Sequence, residues 1–495
     1  MTIKGKHVLQ VVLALCLSLL FFVSFSNVTT NDQTAYAADN SLQKIKQKGT
    51  LVVATSPDYP PYEFQTTKNG NSKIVGMDMS VAKKVAKGLG VKLVVKSMSF
   101  DSLLVAIETG KADVAIGGIN PTAKRRQSVD FTHIYYSGGQ SFLVNKAEKL
   151  KYSSRAKLKN QKVGAQTGTL QYDLAKQRIP GVTVKGMDKN TDLVLALKTH
   201  KIAAVGMETP TAKAYVENDS SLAMIPSGYK LNKNDVGAAI AAPKGSTALI
   251  DAMNKSVDQI KKQNLTDGYL KTAGTYMKTN TNNTSMFHYW KYFAKGVEYT
   301  LIISAISVVL GVLLGTILAL MRFSHNKLVH AIAVAYIEFV RGTPLMVQVM
   351  FVYFGIGIII NLPALLSGII AVSLNSGAYV AEIIRGGIDS VAKGQTEASQ
   401  SLGLNRTDTM RYVVMPQALK NIWPALGNEF ISLIKESSIV SIIGVTDLIY
   451  QLNIVRANTY RGVMPVFIAM ILYFIMTFIL TRILNHYEGK MNHAK

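Results

Sequence analysis

Cysteine is all but missing from this 495-residue chain. Cys16 stands alone, so no intramolecular disulfide can form, and no Cys/His set of zinc-binding type exists. Missing too is any Gly-x-x-x-x-Gly-Lys-Ser/Thr. Gly5-Lys6, Gly110-Lys111 and Gly489-Lys490 lack both the leading glycine and the hydroxyl residue, which excludes ATP binding by a phosphate loop. Acidic residues are scarce, with 30 Asp and Glu against 54 Lys and Arg and a net charge of +24. No nucleic-acid motif accompanies that surplus. It reads instead as a basic surface facing anionic lipid and as Lys- and Arg-bearing loops, so membrane lipid is an expected partner and nucleic acid is not.

What is present falls into unlike segments. Lys4 and Lys6 precede an apolar run from Val8 to Val23, and Ala35-Tyr36-Ala37 offers small residues for cleavage. Residues 1–38 read as a secretory signal, cleaved after Ala37 or kept as an anchor. Residues 40–275 read as a water-soluble α/β domain. Residues 276–290, with the polar run Lys278-Thr279-Asn280-Thr281-Asn282-Asn283-Thr284-Ser285, read as a flexible linker. Residues 291–495 read as a bundle of membrane helices. The chain is thus multidomain: a two-lobed α/β domain followed by an all-α transmembrane domain.

In the soluble part, Leu51–Ala54, Leu93–Val95, Val114–Ile116, Val163–Ala165 and Ala203–Val205 are short and β-rich, and helical spacing lies between them. Such alternation predicts parallel sheets covered by helices, with ligand beyond the carboxyl ends of the strands. Those ends carry Ser56-Pro57-Asp58-Tyr59-Pro60-Pro61-Tyr62-Glu63-Phe64, then Gly117-Gly118-Ile119-Asn120-Pro121-Thr122 leading to Arg125-Arg126. They also carry Gln166-Thr167-Gly168-Thr169 and Gly206-Met207-Glu208. Singly each is an ordinary turn or cap. Together they put carboxylates, an arginine and two glycine loops on one sheet edge.

These stretches, with Gly76-Met77-Asp78, Ala112-Asp113 and Val129-Asp130-Phe131, resemble extracellular polar-amino-acid binding domains of the periplasmic-binding-protein type over Gly49 to Ala273. The resemblance implies two lobes joined near 131–135 and 225–229, closing on a free amino acid. It implies that Arg125 clamps the ligand carboxylate, since a planar guanidinium donates two parallel bonds. Backbone N–H groups near Gly118, Asn120 and Thr169 would add donors. Glu208 would hold the ammonium, where an aspartate is more usual. Tyr62 and Phe100 would sandwich the aliphatic stem, and Asp58 and Gln166 would meet the side-chain tip. A carboxylate at Asp58 wants a donor, which points first to glutamine or another polar neutral amino acid and next to lysine, arginine or histidine.

In the apolar part, Thr300–Met321, Leu365–Ile384 and Val463–Leu484 are long enough to span. Ala331–Ile360 is interrupted at Arg341-Gly342-Thr343-Pro344, and Asn421–Val445 is weaker, which makes about five spans. The loops at 322–330 and 385–420 are basic, as cytoplasmic loops are. Arg456 and Arg461 fall in an outside loop and run against that pattern. Glu397-Ala398-Ser399 with Gly403, then Pro416-Gln417-Ala418, resembles the coupling loop of ABC-importer permeases, with a helix near 395–404 ended by Gly403. Arg341-Gly342-Thr343-Pro344-Leu345 and Asn375-Ser376-Gly377-Ala378-Tyr379 resemble amino-acid permeases. Glu338, Arg341, Glu382 and Arg385 are ionisable residues in or beside spans and candidates for a membrane route.

The combined expectation is the fused substrate-binding and permease subunit of an amino-acid ABC importer in the plasma membrane, its binding domain outside. It would itself be no enzyme. A separate ATPase would dock on Glu397, Ala398, Ser399 and Gly403, ATP and magnesium would sit on that partner rather than here, and two copies of this chain would pair. The alternative in the same class is a basic-amino-acid importer. From another class it is a ligand-gated channel, in which pore helices would interrupt the binding domain; here that domain is continuous.

Overall fold

The computed structural model describes residues 39–68, 71–281, 285–459 and 461–493. The expected signal over 1–38 lies outside the described residues.

Two five-stranded sheets build the soluble part. In the first, Thr50–Thr55 pairs in parallel with Lys92–Ser97 on one side and Val114–Ala115 on the other, and Ala241–Pro243 and Val129–Phe131 complete it. In the second, Lys162–Gln166 pairs in parallel with Thr183–Met187 and Ala204–Glu208, while Gln140–Asn145 and Leu222–Pro226 join antiparallel. The apolar runs read as strands are strands, because Val and Ile are stiff at Cβ and pack well on a pleated, covered surface. The antiparallel members were not foreseen. They exist because the chain crosses twice between sheets, over 132–139 and 227–240, and returns to each sheet in the opposite sense. The crossings run beyond the expected 131–135 and 225–229. A bridge between Tyr136 and Ala238 holds them side by side.

The linker expected over 276–290 is largely helical. Helix Leu265–Thr281 carries the chain to 281, and a 3-10 turn over Met286–Tyr289 leads into the next helix. The cause is tertiary. Ala273 and Met277 are buried against Phe64, Val75 and Ala214, so burial overrides the weak local signal of a Thr/Asn run.

The remainder is all-α. Three helices are long and apolar enough to cross a membrane, at 286–322, 364–389 and 463–486, and two bent pairs raise the number to five. In one pair Lys327–Gly342 meets Leu345–Ile358 at 107°, at the Thr343-Pro344 break that the sequence marks. In the other, Arg406–Ile443 meets Leu448–Thr459 at 57°. Outward-facing Val309, Leu313, Leu320, Phe467 and Phe474 are exposed, which suits hydrocarbon rather than water.

The two parts share a core. Leu103, Ala106 and Ile107 of the first lobe join one apolar cluster with Val349, Tyr353, Ile369 and Ile443 of the helical part.

Candidate functional site

The strand ends converge on one cleft between the lobes. It is lined by Ser56, Asp58, Tyr59, Glu63, Phe100, Gly117, Gly118, Asn120, Arg125, Gln166, Thr169, Leu170, Gln171, Asn190, Gly206 and Met207. Seven of the nine residues assigned from sequence therefore face one space: Asp58, Phe100, Gly118, Asn120, Arg125, Gln166 and Thr169. Tyr62 and Glu208 do not line it. Tyr62 is fully buried and stacks behind Tyr59, with ring centroids 5.4 Å apart, so Tyr59 is the aromatic opposite Phe100. Period 2 along Asp58–Phe64 is broken by the turn at Pro60-Pro61, and Tyr62, which the resemblance pointed to, falls behind the lining.

Bonds tie the lobes across the cleft. Asn190 N–H of the second lobe donates to Asp58 Oδ2 at 3.0 Å, and Ser56 Oγ donates to Asp58 Oδ1 at 3.1 Å. Glu208 accepts from Asn120 Nδ2 at 3.0 Å and from the Tyr62 hydroxyl, and its own N–H donates to Tyr59 OH at 2.9 Å. Arg125 donates through Nη1 to Asn120 O and through Nη2 to Gly168 O, each at 2.9 Å, with its guanidinium 5.4 Å from the Phe100 ring centre. Two of its N–H groups thus hold it on backbone carbonyls, and a guanidinium has five to give. Thr169 caps helix Leu170–Arg178 through its hydroxyl and also donates to Gln166 O. Gln166 is braced by Asp188 O and Asn190 Nδ2. Of the expected backbone donors, Gly118 N–H is taken by Asp78 Oδ2 at 2.8 Å, and Thr169 N–H points to Gln166 O.

The electrostatics lean negative. Burial pushes the Glu208 carboxyl up to about 7 against the lowering bonds from Tyr62 and Asn120. Burial pushes Asp78 up to about 6 and also raises Asp58. Burial brings the Arg125 guanidinium down to about 10, so it stays charged at neutral pH. Glu63 was missed from the sequence. It is 1% exposed, lines the cleft, and its Oε2 has no partner among the described residues. Burial, with Asp78 close by, holds its carboxyl well above the usual range. The signal available was its place two residues past Pro61, on the strand that returns to the cleft.

In the helical part, Lys393–Ser401 is a short helix carrying Glu397, Ala398 and Ser399. Gly403 follows at φ +88°, and its N–H donates to Gln400 O, a left-handed cap. Glu397 and Ala398 are exposed beside Leu402, which is 85% exposed. Ser399 points inward, donating to Thr396 O and Thr409 Oγ1. Glu382 gathers Arg385, Arg341 and an unforeseen Arg322, whose Nη1 lies 2.7 Å away. Glu338 is not in that cluster; it is exposed.

Known proteins resemble both parts. Residues 51–272 match the family model of bacterial extracellular solute-binding proteins, family 3, and residues 311–493 match that of binding-protein-dependent transport system inner membrane components. A putative glutamine transport system permease protein of Rickettsia felis is 39% identical over 202 residues, 40% of this chain and 93% of the relative. An arginine transport system permease protein of Bacillus subtilis is 40% identical over 202 residues, 40% of this chain and 92% of the relative. The crystal structure of an amino acid ABC transporter substrate-binding protein from Streptococcus pneumoniae bound to L-arginine is 37% identical, covers 48% of this chain and 98% of that one, and has a TM-score of 0.46.

Proposed function

Because the chain belongs to the binding-protein-dependent transport inner-membrane family and carries a family 3 solute-binding domain ahead of its permease part, we propose that it imports a polar amino acid. It is a transport subunit, not an enzyme. The observation that carries the reading is the cleft: Arg125 shares its lining with the carboxyl groups of Asp58 and Glu63, and Glu208 accepts from Asn120 of the same lining. The ligand carboxylate takes free N–H groups of Arg125. The ammonium takes Glu208 once that carboxyl is ionised and Asn120 Nδ2 gives way, because Glu208 lies just behind the cleft lining. Tyr59 and Phe100 flank the stem, and Asp58, Gln166 and Asn190 meet the tip.

The expected ligand is glutamine, in keeping with the donor that Asp58 requires. A second reading, arginine, is favoured by Glu63, a second buried acid beside Asp58 in the cleft lining, since a guanidinium brings more donors than a neutral amide.

The binding domain lies outside the cell in this reading, and a separate ATPase, carrying ATP and magnesium, docks at Glu397, Ala398 and Gly403. Helix Ala364–Asp389 supports that polarity. It starts beside the docked lobe and ends before the coupling helix, and its 26 residues are about 39 Å long at 1.5 Å each. Two copies of the chain pair around the route.

The test is calorimetric titration of the full-length chain in nanodiscs with each of the twenty amino acids, followed by ATP-dependent uptake. Saturable binding of glutamine or arginine supports the reading. Binding of no amino acid, or uptake that needs no ATP, overturns it.

A further inference from the structure

Arg456 and Arg461 sit where the charge pattern of the loops has no use for them, and Arg456 is 5% exposed. Its partner lies in the other half of the molecule: Nη2 is 2.5 Å from Asp192 Oδ1 of the second lobe. Arg456 belongs to helix Leu448–Thr459, and the start of the same helix meets the first lobe, where Gln65 Nε2 donates to Tyr450 OH at 3.1 Å. One helix of the permease part therefore spans the mouth of the cleft and touches both lobes.

The two attachments are unequal. The first lobe is also pinned by Lys111, which is 2% exposed. Its Nζ donates to Leu362 O at 3.2 Å and Asn361 Oδ1 at 3.3 Å and lies 4.9 Å from the Tyr353 ring centre. Ser99 N–H adds a bond to Ile442 O. The second lobe is held by the Asp192 ion pair and by Leu195 packed against Gly462. Parting the lobes would thus leave the first in place and carry the second away from Arg456.

Asp192 is also tied to the ligand site. It lies in the first turn of helix Asn190–Lys198, whose leading residue donates to Asp58 in the cleft. A ligand that draws Asp58 and Asn190 together sets that helix, and with it Asp192. Between the cleft mouth and the permease lies a cavity of about 310 Å³, lined by Asp58 and Asp192 from the lobes and by Ser438, Tyr450 and Asn453 from the helices.

We infer that helix Leu448–Thr459 reads lobe closure for the membrane part, with Arg456–Asp192 as the contact that only the closed, loaded domain completes. The inference rests on the transport reading above and adds its signal. A contact that differs between two states is what permits a ligand to bias a distant element. The bent element that begins at Arg406, next to the coupling turn, leads straight into this helix, so a shift at Arg456 has a continuous path to the far end.

The test uses the full chain with its ATPase, in a Cys16→Ser background. With Asp192→Cys and Arg456→Cys combined, a short thiol cross-linker should give a several-fold higher yield when L-glutamine or L-arginine, whichever the wild-type chain binds, is added. Equal yields with and without amino acid overturn the inference. Arg456→Gln or Asp192→Asn alone should cut uptake about tenfold and weaken amino-acid binding to the full chain only several-fold, the reciprocal of a contact that the loaded state completes, while Arg456→Asp with Asp192→Arg should restore most of the uptake. Native uptake by either single variant, lost binding, or no recovery in the reversed pair each overturn it. If the wild-type chain binds neither amino acid, the transport reading fails first. If it binds and imports while the cross-link ignores ligand, only the sensor fails.

Discussion

Arg125 is the cation that lines the cleft among the described residues, and its fixed carbonyl partners aim it before any ligand arrives. Losing one partner of a desolvated, hydrogen-bonded charge pair costs about 2–5 kcal/mol. Arg125→Ala should therefore weaken amino-acid binding by at least about thirtyfold, measured by calorimetry on the full chain. Glu208 sets a pH dependence. Its carboxyl lies near 7, so in the proposed reading it holds, below that pH, a proton that an incoming ammonium must displace. Affinity should fall as pH drops from 8 to 5.5, by up to about tenfold per unit below 7. Arg125 stays charged throughout and does not contribute. The folding term has the opposite sign: carboxyls raised by burial favour the folded state at acid pH, and that contribution is lost as pH rises through 6 to 7. A flat affinity across that range would separate Glu208 from the ligand.

The coupling helix is a local device. Lys393–Ser401 ends because Gly403 adopts a left-handed φ that residues with a Cβ enter at a cost of about 1 kcal/mol. Gly403→Asp adds strain and charge beside exposed Leu402, in the loop that follows helix Ala364–Asp389 and outside the cleft. It should leave ligand affinity within twofold and reduce uptake at least tenfold; normal uptake would remove this turn from the coupling path. The bent pair around Thr343-Pro344 shows the same reliance on local chemistry. The helix stops where proline removes a donor, and Gln348 Nε2 turns back to satisfy Val340 O and Thr343 O.

At the scale of the molecule, the fit of lobes to helices matters most. Gly444 at φ +82° lets the chain pass under the first lobe, where an added Cβ would lie 1.9 Å from Ser97 O. Lys111 crosses the same seam. Lys111→Ala should leave binding within twofold, since the residue is outside the cleft, and lower uptake several-fold by loosening the dock. Unchanged uptake would make the seam dispensable. Much of this architecture was readable in the chain. β-branched runs, the broken helix at Pro344 and the cap at Gly403 depend on neighbours a few residues away, where periodicity and turn chemistry act. So did the strand ends that meet at the cleft, because a parallel sheet puts every carboxyl end on one edge. Which ring lines the cleft, Tyr59 rather than Tyr62, and which further acid joins that lining, Glu63, depended on how the lobes close. The Lys111–Asn361 and Asp192–Arg456 contacts join residues hundreds of positions apart and leave no periodic trace. They exist because burial of one shared apolar cluster sets the binding lobes and the helical part in a single relative pose.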